Sequence, residues 1–184
     1  MIPYLKSDYL RRHLKPRIGV DSATLCAYTP IIMTTHTKLT EYLEPAQGCV
    51  CFNIRKSARA ITQLYEEALR PTGLRATQFT LLVATRVMGT ATINSLAKGL
   101  VMDRTTLTRN MKPLEKQGFI RIIPGKEDRR EREVTLTLAG QEILSEALPL
   151  WKTVQESVVE KLGQSRVTRL MKDLSATIQI SEAG

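Results

Sequence analysis

At 184 residues the chain is long enough for one domain with a proper core, or a smaller core with helical extensions. Its 42% hydrophobic and 24% charged content is ordinary for a globular protein, and no apolar run approaches the ~18 residues that cross a bilayer, which excludes a membrane-spanning helix. The formal charge is +9, and nine Lys and Arg against four acids between residues 104 and 132 put over half of that excess in under a sixth of the chain, so a polyanionic partner is expected there.

In chain order, residues 1–47 read as an irregular arm: Pro3, Pro16, Pro30 and Pro45 interrupt every helical pattern, and threonine is abundant from Thr34 to Thr40. Met33 is an alternative start. The first residues have no apolar stretch of the secretory kind, and three cysteines without framework spacing suit a reducing cytoplasm, the expected location. From residue 48 the pattern changes. Ile54, Ala58, Ile61, Tyr65 and Ala68 mark one face of a long helix, ended by Pro71 and Gly73 within a 48–73 segment.

The segment 74–138 is a run of short elements. Thr77 is expected to cap a helix over QFTLLVATRVMG that Gly89 stops, and Thr92 to cap a short one with Ile93, Leu96, Ala97 and Leu100 inside. After the tight break VMD, Asp103 caps RTTLTRNMKPLEKQG and Gly118 ends it, with Pro113 as a kink point. The β-like runs FIRII and REVTLTL, joined by PGKEDRRE, predict a hairpin with an extended basic tip. Residues 139–184 are helical again, with a bend at Pro149 and a final apolar stripe of Val167, Leu170, Met171, Leu174 and Ile178.

Helix, three-residue turn, helix and basic hairpin is the layout of a winged helix-turn-helix, so the fold class is mainly α with a small β-hairpin wing. At about 100° per residue, Leu107, Met111 and Leu114 fall within about 60° of one another and form the buried seam of the second helix. Thr105, Arg109, Lys112 and Lys116 fall roughly opposite, flanked by Arg104, Thr106 and Thr108, with no acid before Glu115. Long basic arms beside short hydroxyls suit a major groove: arginine for guanine edges, threonine for phosphates or the thymine methyl. An ordinary solvated face would mix in acids. Lys126, Arg129, Arg130 and Arg132 are the basic, DNA-binding groups of the hairpin, with Arg129 and Arg130 at the tip placed for the adjacent minor groove. Double-stranded DNA is therefore the expected partner, and no cofactor, metal or membrane is called for.

The stretch MDRTTLTRNMKPLEKQGFIRIIPGKEDRREREVTLTLAG resembles the MarR family of bacterial transcriptional regulators. The shared elements are the D-R-T-T-L-T-R helix start, the L-E-K-Q-G exit, the D-R-R signature at Asp128–Arg130 and L-T-L-A-G opening the next helix; the likeness runs from about Cys51 to the C-terminus and leaves residues 1–47 outside. It implies N- and C-terminal dimerisation helices, a homodimer on a pseudo-palindromic operator, and a repressor released by a small effector. The stripes Ile54–Ala68 and Val167–Ile178 agree with that independently.

Within the family, VCFNIRKSARAITQLY is similar to the first helix of the organic-hydroperoxide-sensing OhrR branch, in which a Cys followed by Phe is oxidised; Cys51 and Phe52 match it, and Tyr65 matches a tyrosine near the sulfur. Arg55 and Phe79 depart from that branch, standing where it has hydroxyls. Physically, a thiol in a helix's first turn meets unpaired N–H groups and the positive end of the dipole. Cys51 is the residue expected to react first, with Cys49 as resolving thiol. A bridge between them would unwind the first turn, since positions i and i+2 point apart. The alternatives are two small side chains packed at an interface, or a metal clip, for which the two thiolates lack obvious partners since the sequence has only His13 and His36, both in the arm. If the thiols are inert, the resemblance implies a small aromatic acid bound between the first, second and long helices, lined by Tyr65, Phe79, Arg86 and Trp151, with Arg55 or Arg86 on its carboxylate.

Two other function classes remain: a thiol-dependent enzyme using Cys51, and an effector-free architectural DNA binder. The sequence holds no Ser/His/Asp set, histidine-rich site or glycine-rich phosphate loop, so it is not read as an enzyme.

Overall fold

The computed structural model describes residues 47–126 and 128–182. The 1–46 part of the expected arm, with Met33, His13, His36 and Cys26, lies outside the described residues, as does Glu127.

Helix α1 spans Val50–Leu69 and is followed by a 3-10 turn, Arg70–Thr72. Pro71 and Gly73 end it as expected: Gly73, at φ 70°, donates its N–H to the Arg70 carbonyl at 3.0 Å. The contact pattern divides the chain between Lys56 and Ser57, inside α1. The part that begins at Ser57 carries the core.

Helix α2 spans Ala76–Met88, and here the expected cap is corrected. Thr77 already lies inside the helix; Arg75 is the extended N-cap, and its N–H donates to Gln78 Oε1 at 2.9 Å. A glutamine three residues along supplies the acceptor, which is the returning half of a capping box. Strand β1, Ala91–Thr92, follows. Thr92 then caps α3, Ile93–Gly99, accepting Ser95 N–H at 3.1 Å. Helix α4 spans Arg104–Lys116 and runs through Pro113.

Strands β2, Ile120–Pro124, and β3, Arg132–Leu136, form the expected hairpin. β3 stops short of Leu138 because Thr137 leaves the strand to cap helix α5, Leu138–Leu162. All pairings are antiparallel, in the order β1-β3-β2, so Val134 on the middle strand faces Ala91 on one side and Ile122 on the other. Helix α5 continues through Pro149 and ends at Gly163; α6 is Gln164–Glu182. Among the described residues no helix is long and apolar enough to cross a membrane.

The core lies where α2, α3, α4, the sheet and the start of α5 meet. Leu69, Leu82, Leu96, Leu107, Met111, Leu114 and Val134 are its fully buried large side chains. Truncating such a leucine to alanine costs about 2–5 kcal/mol, so α4 is firmly seated by its inner face.

Candidate nucleic-acid interface

The position of α4 follows from its ends. Asp103 is extended and its Oδ1 accepts Thr106 N–H at 2.8 Å, which fixes the first turn. Hydrogen bonds from the Thr106 side chain and then its backbone hold the Asp103 carboxyl below the usual carboxylate range. At the other end Gly118, at φ 75°, donates to the Glu115 carbonyl at 3.0 Å, and Phe119 donates to the Leu114 carbonyl at 2.9 Å. That pair of bonds is a Schellman turn, which needs a left-handed residue and finds glycine. Between these ends the periodicity read from the sequence holds. Leu107, Met111 and Leu114 are buried, and Arg104, Thr105, Arg109, Lys112 and Lys116 are exposed. Thr106 and Thr108 are half-buried at the flank, and the Thr108 hydroxyl donates to the Arg104 carbonyl at 2.7 Å.

The wing tip is shaped by Asp128. Its Oδ1 accepts Arg130 N–H at 2.8 Å and its carbonyl accepts Glu131 N–H at 3.0 Å, a turn locked by an aspartate side chain. Gly125 N–H closes the base on the Glu131 carbonyl at 3.0 Å, and Lys126 N–H donates to Glu133 Oε1 at 3.1 Å. Lys126, Arg129, Arg130 and Arg132 are exposed. Among the described residues none of the basic groups of α4 or the wing forms an ion pair; the pairs present are Arg70–Glu67 and Lys152–Glu156. The positive field of this region is therefore not cancelled by ion pairs among the described residues.

The thiol and effector candidates fall in two places. Cys49 is the residue before α1: its carbonyl accepts Asn53 N–H at 3.1 Å, and Phe52 N–H lies 3.5 Å from its sulfur. Cys51 lies inside the first turn; both thiols are free and exposed, as are Phe52 and Arg55. The sequence pointed to Cys51 as the more favoured sulfur, yet the backbone N–H is aimed at Cys49. Cys49 directly precedes α1, which starts at Val50, so a first-turn N–H comes within reach of its sulfur. Among the described residues no three His, Cys, Asp or Glu side chains gather as a metal site.

Tyr65 and Phe79 each contact α5, at Gln155 and at Trp151. Phe79 is buried and stacks on Trp151, ring centroids 6.3 Å apart and planes 22° from parallel. The Tyr65 hydroxyl donates to Gln155 Oε1, one turn beyond Trp151, and burial pushes the phenol above its ordinary value. Arg86 is exposed near the end of α2. A depression of about 420 Å³ lies instead at the end of α1, bordered by Glu66, Glu67, Arg70 and Arg75, none of which the sequence had singled out. Sequence reasoning also passed over Thr137, although a threonine directly before a helix is a capping signal.

Comparison with known proteins supports the same reading. The profile of the MarR family matches residues 74–132. The chain is 36% identical in sequence to the transcriptional regulator MosR of Mycobacterium tuberculosis in its complex with DNA, with a TM-score of 0.64 over 72% of this chain and 98% of that one. It is 28% identical to the HTH-type transcriptional regulator SarZ of Staphylococcus haemolyticus over 131 residues, 70% of this chain and 86% of the relative. It is 28% identical to the organic hydroperoxide resistance transcriptional regulator of Bacillus subtilis over 105 residues, 57% and 71% of the two chains.

Proposed function

The chain belongs to the MarR family of DNA-binding transcriptional regulators, and we propose that it acts as a homodimeric repressor that leaves its operator when a small effector or a hydroperoxide reaches it. The observation that carries the DNA-reading part is α4, whose apolar seam is buried while Arg104, Arg109 and Lys112 stand exposed and without acidic partners among the described residues. In this reading α4 enters the major groove with Arg109 on a guanine edge, and Arg129 and Arg130 reach the neighbouring minor groove. Thr108 spends its hydroxyl proton on the Arg104 carbonyl, so it offers DNA a methyl group and an acceptor rather than a donor for phosphate.

Arg109→Ala tests this on duplexes that the protein itself selects from a random-sequence pool. The expected loss is about 1–3 kcal/mol, with relaxed preference at one base per half-site. Arg130→Ala should weaken binding more evenly across sequences and flatten its salt dependence. An Arg109→Ala variant with wild-type affinity and preference would remove α4 from the groove.

A second element concerns release. The N–H aimed at the Cys49 sulfur favours it as the attacking thiol, and the organic hydroperoxide resistance named in the Bacillus relative supports peroxide as the trigger. The sulfur attacks the O–O bond, becomes a sulfenic acid and releases an alcohol; a second thiol then displaces water to form a disulfide. A Cys49–Cys51 bridge would require the first turn of α1 to unwind.

A further inference from the structure

The recognition helix and the long helix α5 are tied together at one residue. Thr137 lies between β3 and α5, 18 positions beyond Phe119 in sequence, yet it meets the exit of α4 at two points. Its N–H donates to the Phe119 carbonyl at 3.1 Å, and its hydroxyl donates to the Gly118 carbonyl at 2.5 Å. The same hydroxyl oxygen accepts Gly140 N–H at 3.0 Å, which caps α5. One small side chain thus uses its donor on the turn that leaves α4 and its acceptor on the first turn of α5. Gly140 keeps the two backbones in direct contact: a Cβ there would stand 1.9 Å from the Phe119 carbonyl oxygen. The same Cβ would also stand 2.8 Å from Leu136 Cδ2.

We propose that Thr137 is a positioning residue that sets the angle between the reading helix and α5, and through it the spacing of the two half-sites the protein accepts. The proposal rests on the homodimeric reading given above. Helix α5 has 25 residues, so it is about 37 Å long. A rotation of about 5° at its start displaces its far end by about 3 Å, close to the rise of about 3.4 Å per base pair along the duplex axis. Since α5 leads directly into α6, the proposed dimer helix, an angle error at Thr137 becomes an error of about one base-pair step in where the second α4 arrives. A joint made of a hydroxyl with both roles filled and a glycine with no spare space resists such rotation.

The test separates capping from tying. Thr137→Asp retains an oxygen that accepts Gly140 N–H, and aspartate caps helices as well as threonine, but it has no proton for the Gly118 carbonyl. Thr137→Ser retains both roles, and Thr137→Val retains neither. Each full-length protein is titrated against the duplex selected by the wild type and against versions with one base pair added or removed between the half-sites. Wild type and Thr137→Ser should prefer the native spacing by at least about tenfold. Thr137→Asp should lose affinity for the native duplex and bring the three spacings within about threefold, or move the optimum by one step. Thr137→Val should do the same if it folds, as its thermal transition will report. If Thr137→Asp weakens all three duplexes equally and keeps the wild-type ratio, Thr137 is a cap only and the proposal falls. If the wild type itself ignores spacing, the two-half-site reading fails first, and the proposal with it.

Discussion

The segment from Leu74 to Leu136 and the last helix handle their apolar residues in opposite ways. The head closes on itself: Leu82, Leu96, Leu107, Met111, Leu114 and Val134 are all fully buried within a single chain. Helix α6 has a comparable stripe, but only Val167 is buried; Leu170 and Met171 are 43% and 52% exposed. Helix α1 resembles α6 in this respect, with Ile61 and Leu64 exposed and Leu69 its one buried residue. A head that is complete in one copy needs no partner to fold, whereas amphipathic helices with uncovered faces gain burial only against something else. In the homodimer proposed above, recognition falls to the part with its own core and association to the parts without one.

The largest effect should come from breaking that division on the helix side. Leu170→Asp together with Leu174→Asp is expected to yield monomers in sedimentation, because a carboxylate facing the same stripe of a second copy has no partner. The head should unfold cooperatively as before, since neither residue belongs to its core. Operator affinity should fall at least about 100-fold, since two half-sites would then be bound as separate events. A dimer that survives both substitutions would move association away from α6.

The comparison also explains what was legible beforehand. The faces of α4 could be read because burial on a helix repeats at fixed spacing, and Leu107, Met111 and Leu114 are apolar at that spacing. Thr92 and Asp103 could be read as caps because a short polar side chain before an apolar run has a local mechanism. Strand β1 could not, because two residues carry no period, and Ala91 is a strand residue only through Val134. The Thr137 tie to Gly118 spans 19 residues, beyond the reach of local patterns. Arg75 displaced Thr77 as cap because the decisive atom belongs to Gln78, three residues downstream.

A smaller effect, confined to release, distinguishes the two cysteines at the start of α1. Cys49→Ser should slow peroxide-induced loss of operator binding more than Cys51→Ser does, since Phe52 N–H faces the Cys49 sulfur. Both variants should bind the operator normally when reduced, because neither residue belongs to the head. A Cys51→Ser protein that no longer responds while Cys49→Ser responds at the wild-type rate would support the sequence-based assignment of Cys51 as the reacting thiol. Operator binding that peroxide never disturbs would leave both thiols as packing and the effector as an organic acid.

The smallest effect lies within the head, at the two turns that flank α4. Both are Schellman turns. After α4, Gly118 takes the left-handed position; before it, Val101 does, at φ 51°, donating to the Lys98 carbonyl at 3.1 Å while Met102 donates to the Ala97 carbonyl at 2.9 Å. Valine is a poor residue there, because a branched Cβ crowds the backbone in the left-handed region by about 1–2 kcal/mol. Its side chain is 57% exposed, so burial offsets little of that strain. Val101→Gly should therefore stabilise the head, although the added freedom of glycine in the unfolded chain takes back about 0.4–1 kcal/mol. The expected net gain is about 0.5–1 kcal/mol, a rise of about 2 °C in Tm by calorimetry. Gly118→Val should move Tm the other way, since it introduces the same strain into a turn that has none. If Val101→Gly lowers Tm, the valine side chain contributes more to the head than its exposure allows, and the two turns are not equivalent.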